Sequence, residues 1–179
     1  MEKKSDKELN KKMKTLILYE TLHGSSATCA RLLGERIDHT VDILRLADNE
    51  NIDISLFDII IIGGSIHMGE IHTRVKNFVQ RNLDLLLKKP HGLFLVCMEN
   101  GDVAKSQFEN AYPEELRISS LTNGLFGGEL LFKKMNLFQR GFTKKVTKVK
   151  DSISRINMKE IDRFAKDINN YIRKLHNDD

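Results

Sequence analysis

The sequence predicts a single α/β domain: a doubly wound, five-stranded parallel sheet with helices on both faces. Three observations carry that expectation. Apolar, strand-like runs alternate along the chain with segments of helical periodicity, the order expected of β-α-β units. One run, Phe57-Asp58-Ile59-Ile60-Ile61-Ile62-Gly63-Gly64-Ser65, holds four consecutive isoleucines with no polar alternation, as in a strand covered on both faces of a parallel sheet. The length, 179 residues, suits one core rather than two, and no internal repeat or Pro/Gly/Ser-rich linker divides it.

The elements follow in order. Residues 1–13 read as a charged N-terminal extension, and residues 14–176 as the domain. Thr15-Leu16-Ile17-Leu18-Tyr19 is the first strand, after which the chain turns polar through Gly24-Ser25-Ser26. Ala27, Ala30, Leu33 and Ile37 recur at helical spacing. Residues 41–46 alternate like a strand with one covered face, and residues 57–65 form the third strand. Ile71, Val75, Phe78, Val79, Leu83 and Leu86 lie on one helical stripe, which Pro90-His91-Gly92 ends. Residues 92–98 form a fourth, buried strand. A mixed, more acidic segment (99–120) precedes the fifth strand candidate, residues 121–130. Asn157 followed by Glu160 fits a capping box, and Ile161, Phe164, Ala165, Ile168, Ile172 and Leu175 form the apolar face of the last helix.

Composition excludes several classes. The formal net charge is +4, and six lysines against three acids in residues 1–14 account for most of it. The rest is near neutral, so nucleic-acid binding is not expected. No apolar run approaches the roughly 20 residues of a membrane-spanning helix. The charged start is unlike a signal peptide, so a cytoplasmic protein is expected. Cys29 and Cys97 then read as free thiols: Cys29 as core, Cys97 as buried packing beside a strand end. Residues 133–150 carry seven Lys/Arg and no acid, interleaved with Met135, Leu137, Phe138, Phe142, Val146 and Val149. They read either as a helix with a solvated basic face or as an amphipathic contact, through 131–150, with an anionic membrane surface or acidic partner.

In a doubly wound sheet, ligands bind beyond the carboxyl ends of the strands at the switch point. That draws attention to three loops. The first, Glu20-Thr21-Leu22-His23-Gly24-Ser25-Ser26, has neither G-x-G-x-x-G nor G-x-x-x-x-G-K-[ST], which disfavours a dinucleotide site or a P-loop. The third strand ends in Gly63-Gly64-Ser65, where a phospho-receiver would need an aspartate. Thr21, Ser25 and Ser26 around Gly24, at a strand-to-helix junction, make a phosphate cradle of hydroxyls and first-turn amides. The plain alternative is ordinary N-capping by Ser25 or Thr21. The second loop, Gly63-Gly64-Ser65-Ile66-His67-Met68-Gly69-Glu70, suits a flat ring lying against the backbone. The third, Val96-Cys97-Met98-Glu99-Asn100-Gly101-Asp102, would supply the opposite wall.

Residues 16–28 and 57–69 together resemble the flavodoxin family. The stretch Gly63 to His72 fits G-[AG]-S-I-x-x-G-x-x-H. That pattern is similar to the flavodoxin-like branch containing the menaquinone-dependent protoporphyrinogen IX dehydrogenase, as are Phe78-Val79 and segment 131–142. The resemblance implies strand order 2-1-3-4-5 and FMN as cofactor. It implies that Thr21, Gly24, Ser25 and Ser26, with backbone groups of Leu22 and His23, hold the FMN phosphate. Ser65, Ile66, His67, Met68 and Gly69 would line one side of the isoalloxazine, and Cys97, Met98, Glu99 and Asn100 the other or its pyrimidine edge.

Three functions remain open on this reading. One is an FMN-dependent dehydrogenase with a quinone acceptor, in which His67 handles a proton or an anionic substrate. The weaker acidity of the chain favours it, because fewer negative charges destabilise a reduced, anionic flavin less. The second is a one-electron carrier acting on a redox partner protein, and the third a flavin-free binding module. The expected location is cytoplasmic, with contact at the inner face of the membrane if 131–150 binds lipid.

Overall fold

The structure, a computed structural model, describes residues 13–130 and 153–177. The N-terminal extension and the basic segment 131–150 lie outside the described residues. Five parallel strands form the main sheet: β1 (Lys14–Glu20), β2 (Thr40–Arg45), β3 (Ile59–His67), β5 (His91–Val96) and β6 (Thr122–Leu125). Their order is β2-β1-β3-β5-β6, which is 2-1-3-4-5 counted over the long strands, as the sequence predicts. A sixth, two-residue strand, β4 (Glu70–Ile71), pairs antiparallel with the end of β3.

Among the described residues, six helices cover the sheet. One face carries α1 (Ser25–Gly34) and α6 (Met158–Asn177); the other carries α2 (Thr73–Arg81), α3 (Leu83–Leu86), α4 (Gly101–Ala111) and α5 (Glu114–Ser119). The isoleucine run explains the layering. Alternate side chains leave opposite faces of a strand, so Ile59 and Ile61 join the core under α1 and α6, while Ile60 and Ile62 join the core under α2 to α5. All four are fully buried.

Glycines in the central strands admit aromatic rings. The Phe94 ring lies over Gly63, its register partner, where a Cβ would fall 2.0 Å from the ring. Phe94 stacks on Phe126 with ring centroids 4.8 Å apart, and Phe164 of α6 meets Phe126 edge-on at 5.3 Å. This cluster fixes the carboxyl end of the sheet against α6. Asn157 caps α6, its Oδ1 accepting the Glu160 amide at 3.2 Å, but the reciprocal half of the expected capping box does not form, because the Asn157 amide donates to the Phe126 carbonyl at 2.9 Å. The Glu160 carboxylate binds Arg163.

Three local expectations are corrected, and one segment without an expected element acquires its helices. Ile71 is not helical; it sits in β4, and α2 starts two residues later behind His72, whose Nδ1 accepts the Arg74 amide at 3.2 Å. The predicted single helix is split at Asn82, whose side chain donates to the Phe78 carbonyl at 2.9 Å. The mixed segment 99–120 forms two helices, α4 and α5. The fifth strand ends at Leu125. Glu129–Leu130 instead forms β7, paired antiparallel with β8 (Ile153–Ser154) outside the main sheet. Gly127, at φ +68°, makes that exit: a Cβ there would lie 1.9 Å from the Arg155 carbonyl oxygen.

Candidate functional site

The three expected loops do converge at the carboxyl ends of β1, β3 and β5. At the first, Gly24 takes the left-handed conformation (φ 94°) and α1 begins with no side-chain cap. Neither Ser25 nor Thr21 caps the helix. Thr21 Oγ1 accepts the Gly24 amide at 2.9 Å, closing the loop on itself. The Ser25 hydroxyl donates to the Glu129 carbonyl at 3.0 Å, so it is committed to β7. Ser26 is wholly buried, and its hydroxyl has no partner among the described residues. An orphaned buried hydroxyl is costly. Here it stands in the uncapped first turn, whose amides and dipole favour an anion. These residues fit a phosphate group.

Glu20 was not among the expected site residues. It continues the inward-facing alternation of Leu16 and Leu18 and is fully buried at the mouth of the loop. Its Oε1 accepts the Thr21 amide at 3.0 Å and the Arg45 Nε–H at 2.8 Å; its Oε2 has no partner among the described residues. Burial works to raise the Glu20 pKa. The Thr21 amide and the Arg45 guanidinium outweigh it and hold the carboxyl below its ordinary range. Arg45 also reaches the Thr21 carbonyl at 3.4 Å. An ion pair with a buried carboxylate and a partly exposed guanidinium thus ties the end of β2 to the first loop.

The second loop is a tight β-hairpin, not a plain β-to-α connection. Met68 and Gly69 both have positive φ (52° and 85°), and His67 pairs with Glu70 across the turn. That is the two-residue, primed-turn pattern. It leaves Met68 80% exposed and His67 exposed, while Ser65 and Ile66 are half-buried. The His67 ring faces the His23 ring edge-on, with centroids 6.3 Å apart. The first two loops therefore touch through imidazoles. Burial, and then the neighbouring His67, lower the His23 pKa. Leu22 is about half exposed beside them.

In the third loop Cys97 is buried, Met98 half-buried, and Glu99 and Asn100 exposed. Cys97 is anchored through its amide to the Gly127 carbonyl at 2.9 Å. Its thiol donates weakly to the Glu99 carbonyl at 3.8 Å, and burial raises its pKa. A cleft of about 460 Å³ opens on the β6 side of this loop, lined by Cys97, Asn100, Leu125, Gly127, Arg155 and Asn157 among others. None of residues 65–69 lines it. The sequence gives no warning of it, because it needs the chain to leave the sheet at Leu125 and return at Arg155. Among the described residues, no group of His, Cys, Asp or Glu is placed to hold a metal ion.

Fold and site define a doubly wound protein with an uncapped helix start in its first loop and two further loops beyond the carboxyl edge of the sheet. A family model described as "Flavodoxin domain" matches residues 16–157, and the chain belongs to that family. No curated protein sequence matches it. Among solved structures it resembles the Streptococcus pneumoniae TIGR4 flavodoxin at 14% identity and TM-score 0.54, over 88% of this chain and 99% of that one. A flavodoxin from the domain Archaea matches at 13% identity and TM-score 0.53, over 90% and 99%. The rubredoxin oxygen:oxidoreductase of Desulfovibrio gigas matches at 16% identity and TM-score 0.52, over 90% of this chain. The chain spans about a third of that enzyme's length (36%). At these identities the structural matches establish the fold.

Proposed function

We propose that this protein binds FMN at the carboxyl ends of β1, β3 and β5 and works as a flavin oxidoreductase with a quinone acceptor. The observation that carries the cofactor is the buried, unpartnered Ser26 hydroxyl in the uncapped first turn of α1, in a chain of the flavodoxin family. The first-turn amides and the Ser26 and Thr21 hydroxyls hold the phosphate. The Ser25 side chain supports the turn through Glu129 rather than binding the anion. Ser65 to Gly69 and Cys97 to Asn100 flank the ring. Bound FMN supplies one- or two-electron transfer. The protein sets the orientation of the ring and the charges around it.

Two features support the dehydrogenase reading. The Gly63-to-His72 pattern is similar to that of the protoporphyrinogen dehydrogenase branch. The cleft beyond Cys97 offers room for a second molecule beside the ring loops. His67, exposed at the end of β3 and outside that cleft, would handle a proton or an anionic substrate from the second loop. The basic, aromatic segment 131–150 would carry contact with an anionic membrane surface where a quinone resides. Among the described residues no helix is long and apolar enough to cross a membrane.

The test is an anaerobic reductive titration of the full chain loaded with FMN, followed by absorption. One two-electron wave with fast reoxidation by menaquinone analogues supports the dehydrogenase. Two well-separated one-electron waves with no quinone turnover replace it with a carrier. A protein that takes up no flavin removes both in favour of a flavin-free binding module.

A further inference from the structure

We propose that Glu20 and Arg45 form a charge-compensating pair that sets how strongly the first loop accepts the phosphate of its cofactor. This rests on the FMN reading above and concerns a residue type that works against it. A carboxylate at the mouth of a phosphate cradle repels a dianion, and the repulsion is strong where water is excluded. Glu20 is fully buried, and the backbone amide it takes belongs to Thr21, the first hydroxyl residue of the cradle. Its bond to Arg45 at 2.8 Å marks it as ionised.

Three groups face this carboxylate. Arg45 reaches it from the end of β2 and also contacts the Thr21 carbonyl. His72, at the start of α2, contributes a favourable charge interaction. The Thr21 amide completes the set. Oε2 has no donor among the described residues. Arg45 is therefore the main counter-charge, and it stays partly exposed to solvent. With Arg45 present the cradle carries little net charge; without it the cradle holds a bare buried anion. The cradle then discriminates between a phosphorylated and an unphosphorylated flavin less sharply than amides and hydroxyls alone would. Arg45 acts through Glu20 as a positioning residue and need not touch the phosphate.

The experiment is equilibrium titration of the full apo-chain with FMN and, separately, riboflavin, read by flavin fluorescence. It compares the wild type, Glu20→Gln, Arg45→Met and the double variant. Glu20→Gln keeps the volume and both acceptor contacts, and circular dichroism checks each fold. We expect Glu20→Gln to tighten FMN at least tenfold while moving riboflavin less than twofold. Arg45→Met should weaken FMN at least tenfold in the wild-type background and less than threefold beside Glu20→Gln, a coupling measured by the double-mutant cycle. Should Arg45→Met fail to fold, the Glu20→Gln ratio alone decides. An unchanged FMN-to-riboflavin ratio in Glu20→Gln, with FMN still bound, overturns this inference and leaves the FMN reading standing. Equal weakening of both flavins by Glu20→Gln also overturns it, since Oε2 would then be an acceptor for the shared ribityl chain. Failure of every variant to bind FMN overturns the FMN reading and this inference together.

Discussion

Ser25 donates its hydroxyl to the backbone carbonyl of Glu129 at 3.0 Å, across 104 positions of sequence. That bond joins the first turn of α1 to β7, which pairs with β8 on the far side of segment 131–152 in the sequence. The cradle and the root of the basic segment are thus one structural unit.

The two adjacent serines have opposite duties, which substitution separates. Ser25→Ala removes a tie between elements and should cost about 1 kcal/mol of stability in denaturant unfolding, with FMN affinity nearly unchanged. Ser26→Ala removes an unpaired buried hydroxyl, so stability should hold or rise slightly. FMN affinity should fall about tenfold, equivalent to about 1.4 kcal/mol. If Ser26→Ala instead unfolds the protein while leaving flavin affinity intact, the cradle assignment is wrong.

Gly63 is a steric requirement. An added methyl group would meet the Phe94 ring at 2.0 Å, inside the aromatic cluster with Phe126 and Phe164. Gly63→Ala should lower stability by about 1–3 kcal/mol, the usual cost of overpacking a core, visible as a lower Tm. Gly69→Ala meets no atom within 4 Å and is disfavoured only by its positive φ. It should cost about 1 kcal/mol.

Burial pushes the Cys29 thiol up to about 12, and Glu129 adds to the effect. The folded state therefore holds the neutral thiol while the unfolded chain ionises from its ordinary value of 9.0. The associated stability is complete below pH 9 and is lost as pH rises toward 12. Unfolding curves for wild type and Cys29→Ala should converge over that window. Iodoacetamide at pH 8 should leave Cys29 unmodified until the protein unfolds. Rapid labelling of the native protein at Cys29 would contradict its burial.

The imidazole contact between loops has its own signature. Burial first, and His67 second, lower the His23 pKa. The contribution of His23 to stability is present above its unfolded value of 6.5 and is lost as pH falls through its lower folded value. His67→Ala should raise the His23 midpoint while leaving it below 6.5, because burial persists. A proton NMR titration of the ring signals measures this. An unchanged midpoint would show that the two rings do not interact in solution.

The sequence by itself determined the layers. Four isoleucines in a row can only be satisfied between two helical faces, and the apolar stripe from Ile161 to Ile172 is long enough to declare α6 without help. It also marked the three loops, because strand ends and glycines are local features. Residues bound by distant partners could not be placed this way. Ile71 fits the helical stripe as well as it fits β4, and only pairing of Ile66 with Ile71 across Met68-Gly69 decides for a strand. Ser25 and Ser26 are alike as letters; Glu129 claims one and leaves the other. Glu20 was not singled out from the sequence, because its burial and its counter-charge, Arg45 on another strand, are set by the fold. Periodicity is written along the chain, whereas the worth of a polar group depends on what the fold brings to meet it.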